Sequence, residues 1–364
     1  MMPVKGKAMG RRELLKGALV AGSALGFYGS RVRAQARPLI VAVYGGIFKD
    51  VLDKVLFEPF RKETGISVES RPQPTGPVMY VQLSQAAAAG QAPVDVAIMS
   101  ATMVMKGMRE RLWLPYDESR MPNLQYVERP FFRREGTTLY TVTALAWYIN
   151  LVYNSRYIRT NPTEWAAFWD PRYRGQLGLL GLANNSFLLD ITARVFFGGN
   201  QVLATREGIE TVLKKLAELK PNVKLWYRDE ATFEQALLSG EVPMGQLYND
   251  VTQVMVDKGA PVVSVFPKEG PVVDRGEWVV LRTTPKAADA FAFIDYACRP
   301  DVQQRITENL YTIPTVRHEY VRLPQALADR VLGPGPEGAI IPEYRIYLDW
   351  EDWINERWTE TLIG

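Results

Sequence analysis

The chain of 364 residues contains one cysteine and one histidine. Cys298 alone cannot form an internal disulfide, so stability has to come from core burial. His318 lies in the polar segment VRHEY and reads as a surface residue. A Ser–His–Asp triad would have only this histidine as its base, and no GxSxG accompanies it. No His/Cys cluster has metal-ligand spacing, and no Walker loop or GxGxxG follows a strand. Carboxylates are plentiful, yet no pair stands out as an acid–base couple. An enzyme, a metal and a cofactor are therefore not expected. Long apolar runs are also missing: ALVAGSALGFYG, near the start, is too short to span a bilayer. No repeat, low-complexity tract or long linker interrupts the chain.

An excess of charge of one sign is missing too. Lys and Arg number 43 against 40 Asp and Glu. Residues 1–36 hold seven of these bases and one acid, Glu13, so the remainder has three more acids than bases. The basic balance thus belongs to the N-terminal stretch and gives no support to a nucleic-acid partner. That stretch reads as a cleavable twin-arginine export signal. Arg11 and Arg12 precede Leu14-Leu15-Lys16, the short apolar run follows, and Ala34 and Ala36 supply small residues at the cleavage-reading positions. Arg31 and Arg33, just before the cut, disfavour the ordinary secretory channel. The expectation is passage through the twin-arginine translocase, already folded, into the periplasm; an uncleaved anchor is the competing reading. No cysteine ends the apolar run, so lipid attachment is unsupported. The remaining residues, about 328, suffice for two lobes.

Strand-like and helix-like stretches alternate. Leu39 to Tyr44 (LIVAVY), ISVES, Val94 to Ser100 (VDVAIMS), VKLWY, MGQLYND, PVVSVFP and EWVVLRT read as strands or strand ends. Between them lie a helix stopped by Gly65, a helix over Tyr80 to Ala89, and TREGIETVLKKLAELKPN, whose Ile209, Val212, Leu213 and Leu216 share a face before Pro221. Such alternation implies α/β architecture, with mostly parallel sheets covered by helices on both faces. In open parallel sheets ligands gather at the carboxyl ends of strands. Five polar or glycine-bearing ends stand there: Tyr44-Gly45-Gly46, Ser100-Ala101-Thr102, Asn184-Asn185-Ser186, Tyr248-Asn249-Asp250, and Asp274-Arg275-Gly276-Glu277-Trp278 opening the strand EWVVL. Each alone is compatible with a turn or a cap. Together they favour a shared cleft.

Six segments in order resemble the periplasmic substrate-binding proteins of ABC importers, of the spermidine/putrescine-binding type. They are FEPFRKETGISVE, AGQAPVDVAIMSA, EWAAFWDPRYRGQLGL, LSGEVPMGQLYND, VSVFPKEGPVV and FAFIDYACRPDVQQRITENLYTIPT. The resemblance spans roughly residues 39–316 and implies a two-lobed fold of type II topology. Its expected parts are lobe one (37–147 and 278–322), lobe two (148–277) and a helical tail (323–364) packed on the lobes. It further implies a small-molecule solute held between the lobes, hinge closure, delivery to an inner-membrane permease, and a monomer. An exported enzyme or a sensor partner on the same bilobal fold is the alternative.

Polyamine-binding members of that family use Trp and Tyr faces for the methylene chain and carboxylates for the ammonium groups. This chain departs from that pattern. It has Gly45, Gly46, Ile47 and Phe48 after the first strand, Asn184 and Asn185 where acids stand, Tyr248 for a Trp, and roughly Arg275-Gly276-Glu277 for Trp-x-Asp. The expected solute-binding set is Tyr44, Gly45, Gly46, Ser100, Thr102, Asn184, Asn185, Tyr248, Asp250, Arg275, Glu277 and Trp278. Arg275 and the Gly45-Gly46 backbone favour a polar solute with an anionic group, with or without an amine. A bare polyamine is the alternative.

Overall fold

Alternating side chains along the short branched strands set the layers. A computed structural model describes residues 37–364 except Thr75. The export-signal residues Arg11, Arg12, Ala34 and Ala36 lie outside the described residues. The strands are β1 (Leu39–Val43), β2 (Val68–Pro72), β3 (Val96–Ser100), β4 (Phe132–Glu135), β5 (Thr138–Asn154), β6 (Leu177–Leu180), β7 (Val223–Tyr227), β8 (Met244–Tyr248), β9 (Val262–Val265) and β10 (Val272–Val280). They form a sheet in the order β2-β1-β3-β10-β5-β8-β6-β7, with β4 and β9 added along β5.

The parallel pairs fall into two groups, β2-β1-β3 and β7-β6-β8. The fold is thus the bilobal α/β fold of periplasmic binding proteins, with a parallel trio in each lobe. Antiparallel strands join the lobes. β5 runs for 17 residues; its Val142–Ile149 stretch pairs with β10, and Ile149–Tyr153 pairs with β8. β10 returns from Val272, where it faces Ile149, to the edge of β3 at Gly276–Val280. Nearly every residue of β5 is buried, as a strand covered on both faces requires.

Each lobe has apolar layers on both sides of its strands. Leu39, Val41 and Val43 of β1 enter one core with Phe57, Phe60 and Phe293, while Ile40 and Ala42 enter another with Met79, Leu83 and Trp113. In lobe two, Leu151 and Leu177 pack with Leu188, Ile209 and Val212, and Val152 and Leu247 pack with Phe233 and Leu237. A strand period of two produces this division.

Local signals fixed several element ends. Gly65 adopts φ 71° and its N–H closes onto the Arg61 carbonyl, ending the helix Glu58–Thr64. Thr205 accepts from Gly208 N at the start of the helix Arg206–Ala217, whose four expected apolar residues are buried. That helix stops at Ala217, ahead of Pro221; Glu218–Lys220 continue as tight turns that bring Asn222 into the core. The larger correction concerns β10. The segment Asp274-Arg275-Gly276-Glu277 does not precede a strand but lies inside one of nine residues.

The C-terminal segment packs mainly on lobe two. Ile346, Tyr347, Ile354, Trp358 and Leu362 are buried in its core, each contributing about 1.5–3 kcal/mol if fully buried. The helix Arg345–Trp358 also touches lobe one, where Asp349 pairs with Arg109 at 2.6 Å. Among the described residues no helix is long and apolar enough to cross a membrane.

Candidate functional site

Where the lobes meet, a cavity of about 290 Å³ is lined by Tyr44 and Phe48 from lobe one, Trp147 and Asp274 from the crossing strands, and Glu230, Tyr248, Asp250 and Val251 from lobe two. The turn at Gly45-Gly46 brings Tyr44, at the end of β1, and Phe48, in the helix Ile47–Leu52, to the same wall. Tyr44, Phe48 and Trp147 form a mutually touching trio, with ring centroids 6.2, 5.9 and 5.9 Å apart. Gly276 makes room for it: a Cβ there would lie 2.8 Å from the Tyr44 hydroxyl.

Asp274 is held on three sides. Tyr248 donates to Oδ2 at 2.9 Å, the Arg275 N–H to Oδ1 at 2.8 Å, and Tyr344 to Oδ1 at 3.2 Å. Burial raises its pKa, and these donors only partly offset that rise. Burial lifts Asp250 to about 7, with Glu230 adding repulsion. Glu230 is itself raised, by burial and then by Glu234 and Asp274. Burial also pushes the Tyr44 and Tyr248 phenols well above their ordinary value. Asp250 Oδ1 and Trp147 Nε1 are buried without a hydrogen-bond partner among the described residues. Among the described residues no Lys or Arg lines the cavity. The arrangement has three carboxylates, four aromatic side chains and, among the described residues, no cation on its wall, so it is fitted to hold a positive group. Among the described residues no group of three His, Cys, Asp or Glu is placed for a metal ion. His318 is not on the open surface: it is half-buried, 3.8 Å from Glu128 Oε1, and burial lowers its pKa.

Of the expected site residues, Tyr44, Tyr248 and Asp250 come together in this cavity. Gly45 and Gly46 form the turn behind Tyr44, and Gly46 (φ 62°) is exposed. Ser100 lies opposite Gly276 on β3, 3.3 Å from Thr102 through their hydroxyls, and neither lines the cavity. Asn184 reaches Glu351 at 3.4 Å and Asn185 is exposed, both apart from the cavity. Trp278 is 2 % exposed and packs edge-on against Phe293 at 5.5 Å, so it is a core residue.

Arg275 and Glu277 are corrected by the strand itself. Alternation sends them to the face opposite Asp274. There Arg133 grips Glu277 with a 2.6 Å contact, Thr141 donates to it, and Arg275 Nε lies 3.3 Å away. Burial pushes the Glu277 carboxyl up, yet the two guanidinium groups and these bonds outweigh it and hold its pKa below the ordinary value. Arg275 also donates to the Pro130 carbonyl. It balances an internal carboxylate and is turned away from the cavity.

Sequence reasoning missed Phe48, Trp147, Glu230 and Val251 as lining residues, and it named Asp274 among the polar strand ends but left it out of the expected set. Reading D-R-G-E-W as a strand would have exposed Asp274. Glu230 had no such signal, because an acid in the first turn of a helix is ordinary.

Residues 56–330 match the family described as bacterial extracellular solute-binding protein. The chain is 26% identical to the gamma-aminobutyric acid-binding protein of Pseudomonas aeruginosa, over 91% of this chain and 92% of that one. It is 26% identical to the spermidine/putrescine-binding periplasmic protein of Escherichia coli, over 78% and 80%. The crystal structure of an ABC transporter substrate-binding protein from Bradyrhizobium japonicum superposes with a TM-score of 0.75 at 18% identity, covering 89% of this chain and 99% of that one. With the family matched across most of its length, in a fold whose lobes meet at a polar and aromatic cavity, the chain belongs to the bacterial extracellular solute-binding proteins.

Proposed function

We propose that the protein is a periplasmic receptor that captures a small solute bearing an alkyl ammonium group and delivers it to an ABC importer. One observation carries this reading: Asp274, Asp250 and Glu230 share a cavity with the Tyr44–Phe48–Trp147 trio, and no cation among the described residues lines it. An ammonium group entering there gains paired charge and aromatic faces, and relieves the repulsion among the carboxylates. The relatives named for gamma-aminobutyrate and for spermidine and putrescine share that group.

An adjoining cavity of about 230 Å³ shares Phe48, Asp250 and Val251 and has Glu234 and Lys258 on its wall. A solute whose ammonium lies by Asp274 and whose carboxylate points toward Lys258 fits this pair of cavities; a diamine whose second ammonium lies by Glu234 is the alternative. The anionic end thus pairs with Lys258, and Arg275 has no part in it. Native mass spectrometry of protein purified from its own periplasm tests the reading. A co-purified amine or amino acid is the expected adduct. A co-purified sugar, with no amine or amino acid on the protein, would overturn it.

A further inference from the structure

Arg133, which holds Glu277 on the β10 face opposite Asp274, also lines a separate cavity of about 550 Å³. Three distant parts of the chain wall it: the helix Ala101–Arg109, the β4–β5 hairpin, and the first turn of the helix Arg345–Trp358. Four arginines, Arg109, Arg133, Arg134 and Arg345, face two carboxylates, Glu135 and Glu343. Their donors are incompletely used. The Arg345 guanidinium has no hydrogen bond or ion pair among the described residues. Arg133 commits Nε and Nη2 to Glu277 and keeps Nη1. Arg109 commits only Nη2, to Asp349, whereas Arg134 gives both Nη1 and Nη2 to Glu118 and keeps Nε. Met105, Met108 and Leu348 provide an apolar side.

We propose that this cavity is a second ligand site, for a small polycarboxylate, separate from the amine cavity. Guanidinium forks match carboxylates bidentately. Arg133, Arg109 and Arg134 already answer Glu277, Asp349 and Glu118 outside the lining, so the unpaired Arg345 recruits one carboxylate and the spare donors beside it take the others. The methionines and Leu348 give a carbon skeleton a surface to cover, which a bare inorganic ion cannot use. Occupancy would tie the lobe-one helix and hairpin to the C-terminal helix, which packs on lobe two, and so brace the hinge from behind.

Titration calorimetry with citrate at low salt tests this. Saturable binding is expected, weakened about tenfold or more in Arg345→Ala and not restored by Arg345→Lys, since an ammonium offers no planar fork. Arg345 is exposed, so the melting temperature without citrate should stay at the wild-type value. Citrate affinity should be unchanged in Asp274→Asn, which separates this site from the amine cavity. Absence of saturable citrate binding, equal affinity in Arg345→Ala, or inorganic phosphate binding as tightly as citrate would each overturn the proposal.

Discussion

Tyr248 donates its phenol to Asp274 Oδ2 at 2.9 Å, although their strands, β8 and β10, are not neighbours in the sheet. β5 lies between them, and the bond reaches across it from lobe two to the crossing strand. Asp274 is thereby fixed at the junction of the lobes, on the wall of the cavity.

Asp274→Asn keeps the shape and removes the charge. Losing one member of a desolvated charge pair costs about 3–5 kcal/mol, so amine affinity should fall at least a hundredfold by calorimetry. Tyr248→Phe removes one neutral donor and should cost about 1 kcal/mol. Equal affinities in wild type and Asp274→Asn would show that the ammonium lies elsewhere.

Protonation should oppose binding. Burial raises the Asp250 pKa to about 7, and Asp274 and Glu230 are also raised. Amine affinity should therefore rise as pH increases from about 5.5 to 8, with protons released on binding. Without solute the sign reverses for stability. A carboxyl whose folded pKa exceeds its unfolded value, ~3.9 for Asp, stabilises fully below that value and loses the contribution as pH rises through the folded pKa. Asp190, buried and also raised to about 7, adds to the same trend. The melting temperature of solute-free protein should fall between about pH 5 and 8, and Asp250→Asn should flatten the fall. A flat profile in wild type would refute the charged-cavity picture.

Arg133→Met should destabilise the fold by about 3–5 kcal/mol, because Glu277, 1 % exposed, keeps only Arg275 and Thr141 as partners. Urea unfolding reads this directly. Replacing Glu277 by Leu in the same chain should recover much of the loss. If the single variant is as stable as wild type, the buried pair does not hold the crossing strands.

Export should require the paired arginines. Arg11→Lys with Arg12→Lys should leave the folded protein in the cytoplasm, measured by fractionation. Normal periplasmic levels of the double variant would exclude the twin-arginine route.

Much of the architecture was legible because it rests on local rules. Leu39–Val43 alternates between two cores, Gly65 stops its helix, and the Ile209–Leu216 face is buried as its spacing requires. The cavity was legible only in part. Tyr44, Tyr248 and Asp250 stand at or just past strand ends, and that position pointed to them as residues that line the cavity. Asp274 and Trp147 lie in register opposite each other inside β10 and β5, where position at a strand end gives no signal. Reading Arg275 and Glu277 as cleft residues placed them on the wrong face of β10, since one residue of shift inverts a strand. Glu230 meets the others only through the packing of the two lobes, which no local pattern encodes.

The most direct test of ammonium recognition is a paired calorimetric titration of 4-aminobutyrate and butyrate, with putrescine alongside, near pH 8. The acids share a carbon chain and differ in the amine. Saturable binding of an amine-bearing compound, with none for butyrate at the same concentrations, is the expected result. Butyrate binding as tightly as 4-aminobutyrate, with putrescine inert, would contradict it.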